Sequence, residues 1–226
     1  MPLRPLSFAV QSARAEAEPR AGRAAPDTPP QRSSHPCVFC GAGSGPWQLA
    51  VGPLNDEAVR PDHSPPDSAC PLCHLVGHLE RPRIDEEAML VWLPEISQPA
   101  LNTIIREIHM QLHALGDPLE HGAAPRHDTP ERYPLHHART ALADRAGGAA
   151  ERLGTALPSD LAAALNRLSQ AARRHQDALL GGLRLLPLGR FFERSKDVYP
   201  DIVGGWLTDA VGRRDGSPSG RPQAGA

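Results

Sequence analysis

The feature that most constrains this chain is the spacing of its cysteines. Cys37-Val38-Phe39-Cys40 and Cys70-Pro71-Leu72-Cys73 form two C-x-x-C pairs separated by 29 residues, and no other cysteine is present. A two-residue spacer lets both sulfurs of a pair converge on one ion. Two such pairs complete a tetrahedral sulfur set, the preferred geometry of structural zinc. Two disulfides, free thiols or a redox pair are the rival readings. The start of the chain reads as lacking the apolar h-region of a signal peptide, so an oxidising compartment is not implied. A redox C-x-x-C needs one pair on a βαβ unit rather than two. With all four ligands supplied by the chain, one Zn²⁺ bound to Cys37, Cys40, Cys70 and Cys73 keeps no open position for water, so its expected role is structural. Binding of this kind drives folding, typically by about 10–16 kcal/mol.

The residues around the cysteines predict a shape. Gly41 follows Cys40, where a knuckle turns back through positive φ. Trp47 to Val51 alternates like a hairpin strand. Pro71 sits where a helix begins, and His74 to Leu79 continues it. Knuckle, hairpin and a helix carrying the second pair make a treble-clef finger.

Composition bounds the rest. Gly and Pro together make up about a fifth of the 226 residues, which predicts stretches outside any core. The net charge of −2 gives no global field for nucleic acid. No apolar run approaches the ~18 residues of a membrane span. Residues 1–34 read as mostly disordered, with period two at Leu6, Phe8 and Val10 suggesting one short strand. Residues 212–226 read as a disordered tail.

Between these ends, Ala88 to Leu93 is a continuous apolar run with the signature of a buried strand. Ser97 and Pro99 open the best helix, with Leu101, Ile104, Ile105, Ile108, Leu112 and Leu115 as its stripe and Gly116 as its stop. Residues 117 to about 134 read as a loop. Leu135 to Leu153 is weakly helical, interrupted at Gly147-Gly148. A helix from Ser159-Asp160 carries Leu161, Leu165, Leu168, Ala172 and Leu179, and ends at Gly181-Gly182. Leu183 to Pro187 reads as an apolar connector and Leu188 to Val198 as an amphipathic piece. Pro200 breaks it before a last helix through Ile202, Trp206 and Val211.

Other candidate chemistry is weaker. His109 and His113 stand at i, i+4, but the Glu of an H-E-x-x-H motif is missing, so an exposed or half-buried helix flank is expected. His63, His74 and His78 surround the second pair, and HNH nucleases combine such a finger with a His general base. That base belongs further upstream than Asp62-His63, which lies seven residues before Cys70, and Val51 to Asn55 holds no His. Arg173-Arg174 and Arg213-Arg214 read as solvated surface without an aromatic stacking platform. An HNH-type metal-dependent nuclease and a nucleic-acid-binding zinc module are the alternatives to a non-catalytic protein.

Four segments together resemble the DotN (IcmJ) family of the type IVB secretion systems of bacteria. They are Cys37 to Gly41, Ala69 to Cys73, Val91 to Gln98 running into Ala100-Leu101-Asn102, and Leu183 to Pro187 followed by Arg190-Phe191. The resemblance spans about residues 35 to 207. It departs in the Pro- and Arg-rich N-terminal stretch and in the loop around 117–134. It implies an HNH-like zinc finger without nuclease activity, with Cys37, Cys40, Cys70 and Cys73 as ligands. It also implies a cytoplasmic adaptor that binds the C-terminal tail of a DotL-like coupling ATPase, helps present substrates for export, and meets the inner membrane only through the secretion complex. Neither a small-molecule substrate nor nucleic acid is expected as a partner, and no insertion into the membrane is expected.

The expected class is therefore α+β: a treble-clef or HNH-like finger with a short buried strand, then packed helices, between disordered tails. The expected division is 1–34 mostly disordered, 35–116 zinc-finger core with strand and helix, 117–157 loop and weak helix, 158–211 helical part, and 212–226 tail.

Overall fold

A computed structural model describes residues 3–10, 33, 35–43, 45–51, 67–123 and 130–214. The first cysteine pair forms a tight turn in which Gly41 N–H donates to Cys37 O at 2.9 Å and Gly41 takes φ 70°. Strand β1 (Leu49–Val51) lies within the alternating stretch and pairs antiparallel with β2 (Asp67–Ala69), Leu49 opposite Ala69. Helix α1 (Pro71–Val76) follows, with Cys70 as its extended N-cap residue and Pro71 in the first turn. Val38 N–H donates to Ser68 O at 2.9 Å, so the turn is tied directly to β2. The turn chemistry at Asn55-Asp56 and residues 61–66, with Asp62 and His63, lies outside the described residues.

The short helix α2 (Ile84–Glu87) leads into β3 (Ala88–Trp92), the buried strand predicted from the apolar run. Its partner is a correction to the sequence reading. Leu183–Pro187 is not a connector but strand β4, antiparallel to β3 with Leu90 opposite Leu185. Leu183, Leu185 and Leu186 are core residues. A two-stranded sheet leaves two edges to satisfy. Leu90 N–H and Trp92 N–H donate to Ala156 O and Arg145 O at 2.8 and 3.0 Å. The outer edge of β4 is met by Gln98.

Helix α3 (Gln98–Ala114) starts and stops as predicted, with the Ser97 hydroxyl accepting from Ala100 N–H. Its buried face differs from the apolar stripe. Ile104 is 44% exposed, while Gln98, Asn102 and His109 are buried beside Leu101, Ile105 and Leu112. The helix faces an interior that holds polar groups as well as β4.

The remaining elements show where local rules yielded to packing. Helices α4 (Tyr133–Ala143) and α5 (Ala146–Leu153) break at Asp144-Arg145, not at Gly147-Gly148. Gly148 stays inside α5 because the helix lies against Trp92; a Cβ there would stand 3.0 Å from the Trp92 Cβ. The long helix expected from 159 divides into α6 (Pro158–Asn166), α7 (Gln170–Arg173) and α8 (Gln176–Leu179), with Leu179 69% exposed. In place of an amphipathic helical piece, β5 (Phe192–Glu193) and β6 (Lys196–Asp197) form a hairpin. Pro200 sits in the first turn of α9 (Tyr199–Arg214) and does not break it.

Two further ties close the molecule. Segment 3–10 does not form the short strand expected from its period, but it packs on the core, burying Phe8 and Val10, with Arg4 N–H to Val38 O at 2.8 Å and Leu79 N–H to Ala9 O at 3.2 Å. Buried Glu87 accepts from Arg81 Nε and Nη2 at 2.7 and 2.6 Å and from Phe192 N–H at 2.6 Å, joining α2 to the β5 hairpin. Such a carboxylate is tolerated only because every donor it needs is present. Among the described residues, no helix is long and apolar enough to cross a membrane.

Gly189, at φ 82°, marks the tightest approach: a Cβ there would lie 1.8 Å from Leu119 O. Gly189→Ala is expected to lose more than the about 1–2 kcal/mol of a left-handed non-glycine residue, because backbone must also move. Gly122→Ala, at φ 81° with open space around it, is the control. Urea unfolding of the two variants should show the larger loss at Gly189, and equal losses would refute the steric account.

Candidate metal centre

The finger brings its four cysteines together from both ends. Cys37 and Cys40 come from the turn before β1, and Cys70 and Cys73 from the N-cap and first turn of α1. All four sulfurs lie within 4.8 Å of one another, with Cys40 Sγ 3.6 Å from Cys70 Sγ. Metal–sulfur bonds of about 2.3 Å at tetrahedral corners put sulfurs roughly 3.8 Å apart, so the set fits a zinc-sized ion. None of the four is in a disulfide, and three are buried while Cys40 is half-buried.

Electrostatics point the same way. Hydrogen bonds from Cys40, Cys70 and Cys73 hold the Cys37 thiol far below the usual thiol range. Cys70 and Cys73 are pushed well up, first because they donate to Cys37 and Cys40, then by burial. Cys40 is lowered as well, with hydrogen bonds from Cys70 and Cys73 acting in that direction, so the first pair ionises at the expense of the second. Ionising all four in so small a buried volume requires a cation among them. The donor set is therefore a possible metal site of the kind typical of zinc.

Helix α3 supplies the surroundings. Asn102 Nδ2 donates to Cys73 Sγ at 3.3 Å, and Arg106 Nη1 approaches Cys40 Sγ at 3.8 Å. Gln98, one turn before Asn102, donates from Nε2 to Asn102 Oδ1 at 2.9 Å and to Leu185 O at 2.8 Å. Its Oε1 accepts from Leu185 N–H at 2.7 Å. These residues stand at i, i+4 and i+8 on one face of α3. Sequence reasoning assigned them no role at the site, although polar residues recurring at helical spacing beside an apolar stripe were a visible signal.

The histidines fall elsewhere. His63 lies outside the described residues. The rings of His74 and His78 stack at 3.8 Å between centroids, and His78 Nδ1 lies 3.2 Å from Glu80 Oε1. His109 is not the helix flank expected. It is fully buried, its Nδ1 is 2.7 Å from Tyr199 OH, and burial with the nearby Arg139 and His121 pushes its pKa down to about 3. His113 is half-buried, and the two do not join a group of metal-ligating side chains among the described residues. Arg173 Nε donates to Leu168 O at 3.2 Å, while Arg174 is exposed. The side chains of Arg213 and Arg214 lie outside the described residues.

No protein-family model matches the chain, and no curated protein matches it at a significant level.

Purified protein is expected to carry one tightly bound metal ion per chain, and Cys70→Ser or chelation to unfold the finger. Elemental analysis with thermal unfolding checks this; metal-free protein with an unchanged transition would refute it. His109 gives a second expectation. The unfolded chain takes up its proton near the ordinary value of 6.5, whereas the folded protein does so near 3. Stability from neutral His109 is therefore present above pH 6.5 and declines as pH falls toward 3, by up to about 1.4 kcal/mol per pH unit. In urea titrations from pH 7.5 to 5, the advantage of the wild type over His109→Gln should narrow as pH falls. A constant difference would contradict the assignment.

Proposed function

We propose that this chain is a non-catalytic zinc-binding adaptor of a type IVB secretion coupling complex, built on a treble-clef, HNH-like finger. Cys37, Cys40, Cys70 and Cys73 would hold one structural Zn²⁺, which supplies a cross-link between the knuckle and α1 and no reactive position. The partner is the C-terminal tail of the DotL-like coupling ATPase, and the site of action is the cytoplasmic face of the inner membrane, reached through that complex.

The observation that carries the reading is the junction from β3 into α3. The run Val91 to Gln98 with Asn102 is the most specific part of the resemblance, and its residues have physical work in this fold. Gln98 closes the outer edge of β4, and Asn102 reaches a cysteine sulfur. The fourth segment, Leu183 to Pro187, is the strand that Gln98 contacts. Three of the four segments that carry the resemblance therefore meet around one polar contact. The apolar part of that segment, Leu183, Leu185 and Leu186, is core, so it supports the fold and is not a docking surface.

The test is a binding experiment between the zinc-loaded full chain and the C-terminal tail of the coupling ATPase encoded in the same system. Saturable binding of one tail per chain is expected. A folded, zinc-loaded protein that does not bind that tail would overturn the adaptor role, and incubation with plasmid DNA and Mg²⁺ would then decide whether a nuclease takes its place.

A further inference from the structure

We propose that Asn102 is a positioning residue of the metal centre, donating its side-chain amide to the Cys73 thiolate in an orientation imposed by the backbone of β4. This rests on the reading of the four cysteines as a metal site.

The orientation follows from donor and acceptor logic. The Leu185 peptide offers one N–H, which can only donate, and one C=O, which can only accept. Gln98 meets both, at 2.7 and 2.8 Å, so its Oε1 must face the N–H and its Nε2 the C=O. The other Nε2 hydrogen goes to Asn102, at 2.9 Å, and must find an oxygen there. The Asn102 amide is thereby set with its nitrogen on the other side, 3.3 Å from Cys73 Sγ. A strand pairing made far along the chain thus decides that a donor, not a carbonyl, faces the sulfur.

That donor matches a thiolate. Both amides are more than nine-tenths buried, Asn102 at 1% exposure and Gln98 at 6%. In such surroundings a misdirected carbonyl against a negatively charged sulfur would be strongly unfavourable. Four thiolates on a divalent ion leave a net negative centre, and Asn102 N–H with the Arg106 guanidinium beside Cys40 are what α3 offers to spread that charge. The α3 face therefore completes a centre whose ligands all come from the finger.

Asn102→Asp tests this. The aspartate keeps the shape and still accepts from Gln98, but loses the donor to sulfur. The aspartate also adds negative charge beside the sulfurs, so Asn102→Leu, which removes the donor without adding charge, is the companion variant: if Asn102 served only to partner Gln98, the uncharged change would leave the metal untouched. The expected result is zinc affinity about 10–100-fold weaker by chelator competition, with the sulfur-to-cobalt charge-transfer band of the Co²⁺-loaded variant moved to lower energy. A folded Asn102→Asp protein with wild-type affinity and an unmoved band would overturn the proposal. A measurement on the unaltered chain guards against misfolding of the variant. In ¹¹³Cd-loaded wild-type protein, an Asn102 side-chain amide proton should show coupling to the metal through the hydrogen bond, and its absence would also overturn the proposal. If instead the wild type takes up neither Zn²⁺ nor Co²⁺ stoichiometrically, the metal reading itself fails.

Discussion

Four sulfurs confined within 4.8 Å set the terms for this molecule. They tie a turn before β1 to the first turn of α1, two pieces otherwise joined by a hairpin of three-residue strands. Neither piece is long enough to be stable alone. Without a cation the thiols compete for protons, those of the first pair lowered and those of the second raised. With one, the competition ends and the finger gains a rigid cross-link. The rest of the structure is arranged so that this finger has a surface to rest on.

That surface is α3. One helix face presents apolar residues to β4 and, interleaved with them, Gln98, Asn102, Arg106 and His109 to the finger and to α9. Each of these residues makes a polar contact, although His109 Nε2 has no hydrogen-bond partner among the described residues. Gln98 substitutes for a missing third strand at β4, Asn102 and Arg106 reach sulfurs, and His109 meets Tyr199. Polar burial of this kind gives little net stability but penalises every arrangement in which a partner is displaced. It therefore specifies how finger, sheet and C-terminal helix sit together more sharply than the leucine and isoleucine contacts do.

The readings that succeeded were those decided by neighbours in sequence. The cysteine spacing, the strand at Ala88, and the start and stop of α3 at Ser97 and Gly116 are local signals. The readings that failed involved distant partners. Leu183 to Pro187 carries only the apolar pattern of a short run, and nothing near it announces that Ala88–Trp92, about ninety residues earlier, is its partner. Gly147-Gly148 should weaken a helix, yet α5 passes through because Trp92 needs the space. His109 falls on the buried face between Ile105 and Leu112, and its ring meets Tyr199 of α9, a partner ninety residues away. At the two glycines a tertiary contact outweighed a local preference of about 1 kcal/mol each.

The sequence by itself determined that this chain has a four-cysteine set able to converge on one ion, an α+β composition of elements, and one strong amphipathic helix. These follow from spacing and period, which a chain carries with it however it packs. Only the tertiary structure decided that β3 and β4 form one sheet, that Gln98 closes its edge, and that Asn102 turns a donor toward Cys73. Those facts depend on which backbone groups remain unpaired once distant segments meet, and a buried N–H or C=O finds its partner in space rather than along the chain.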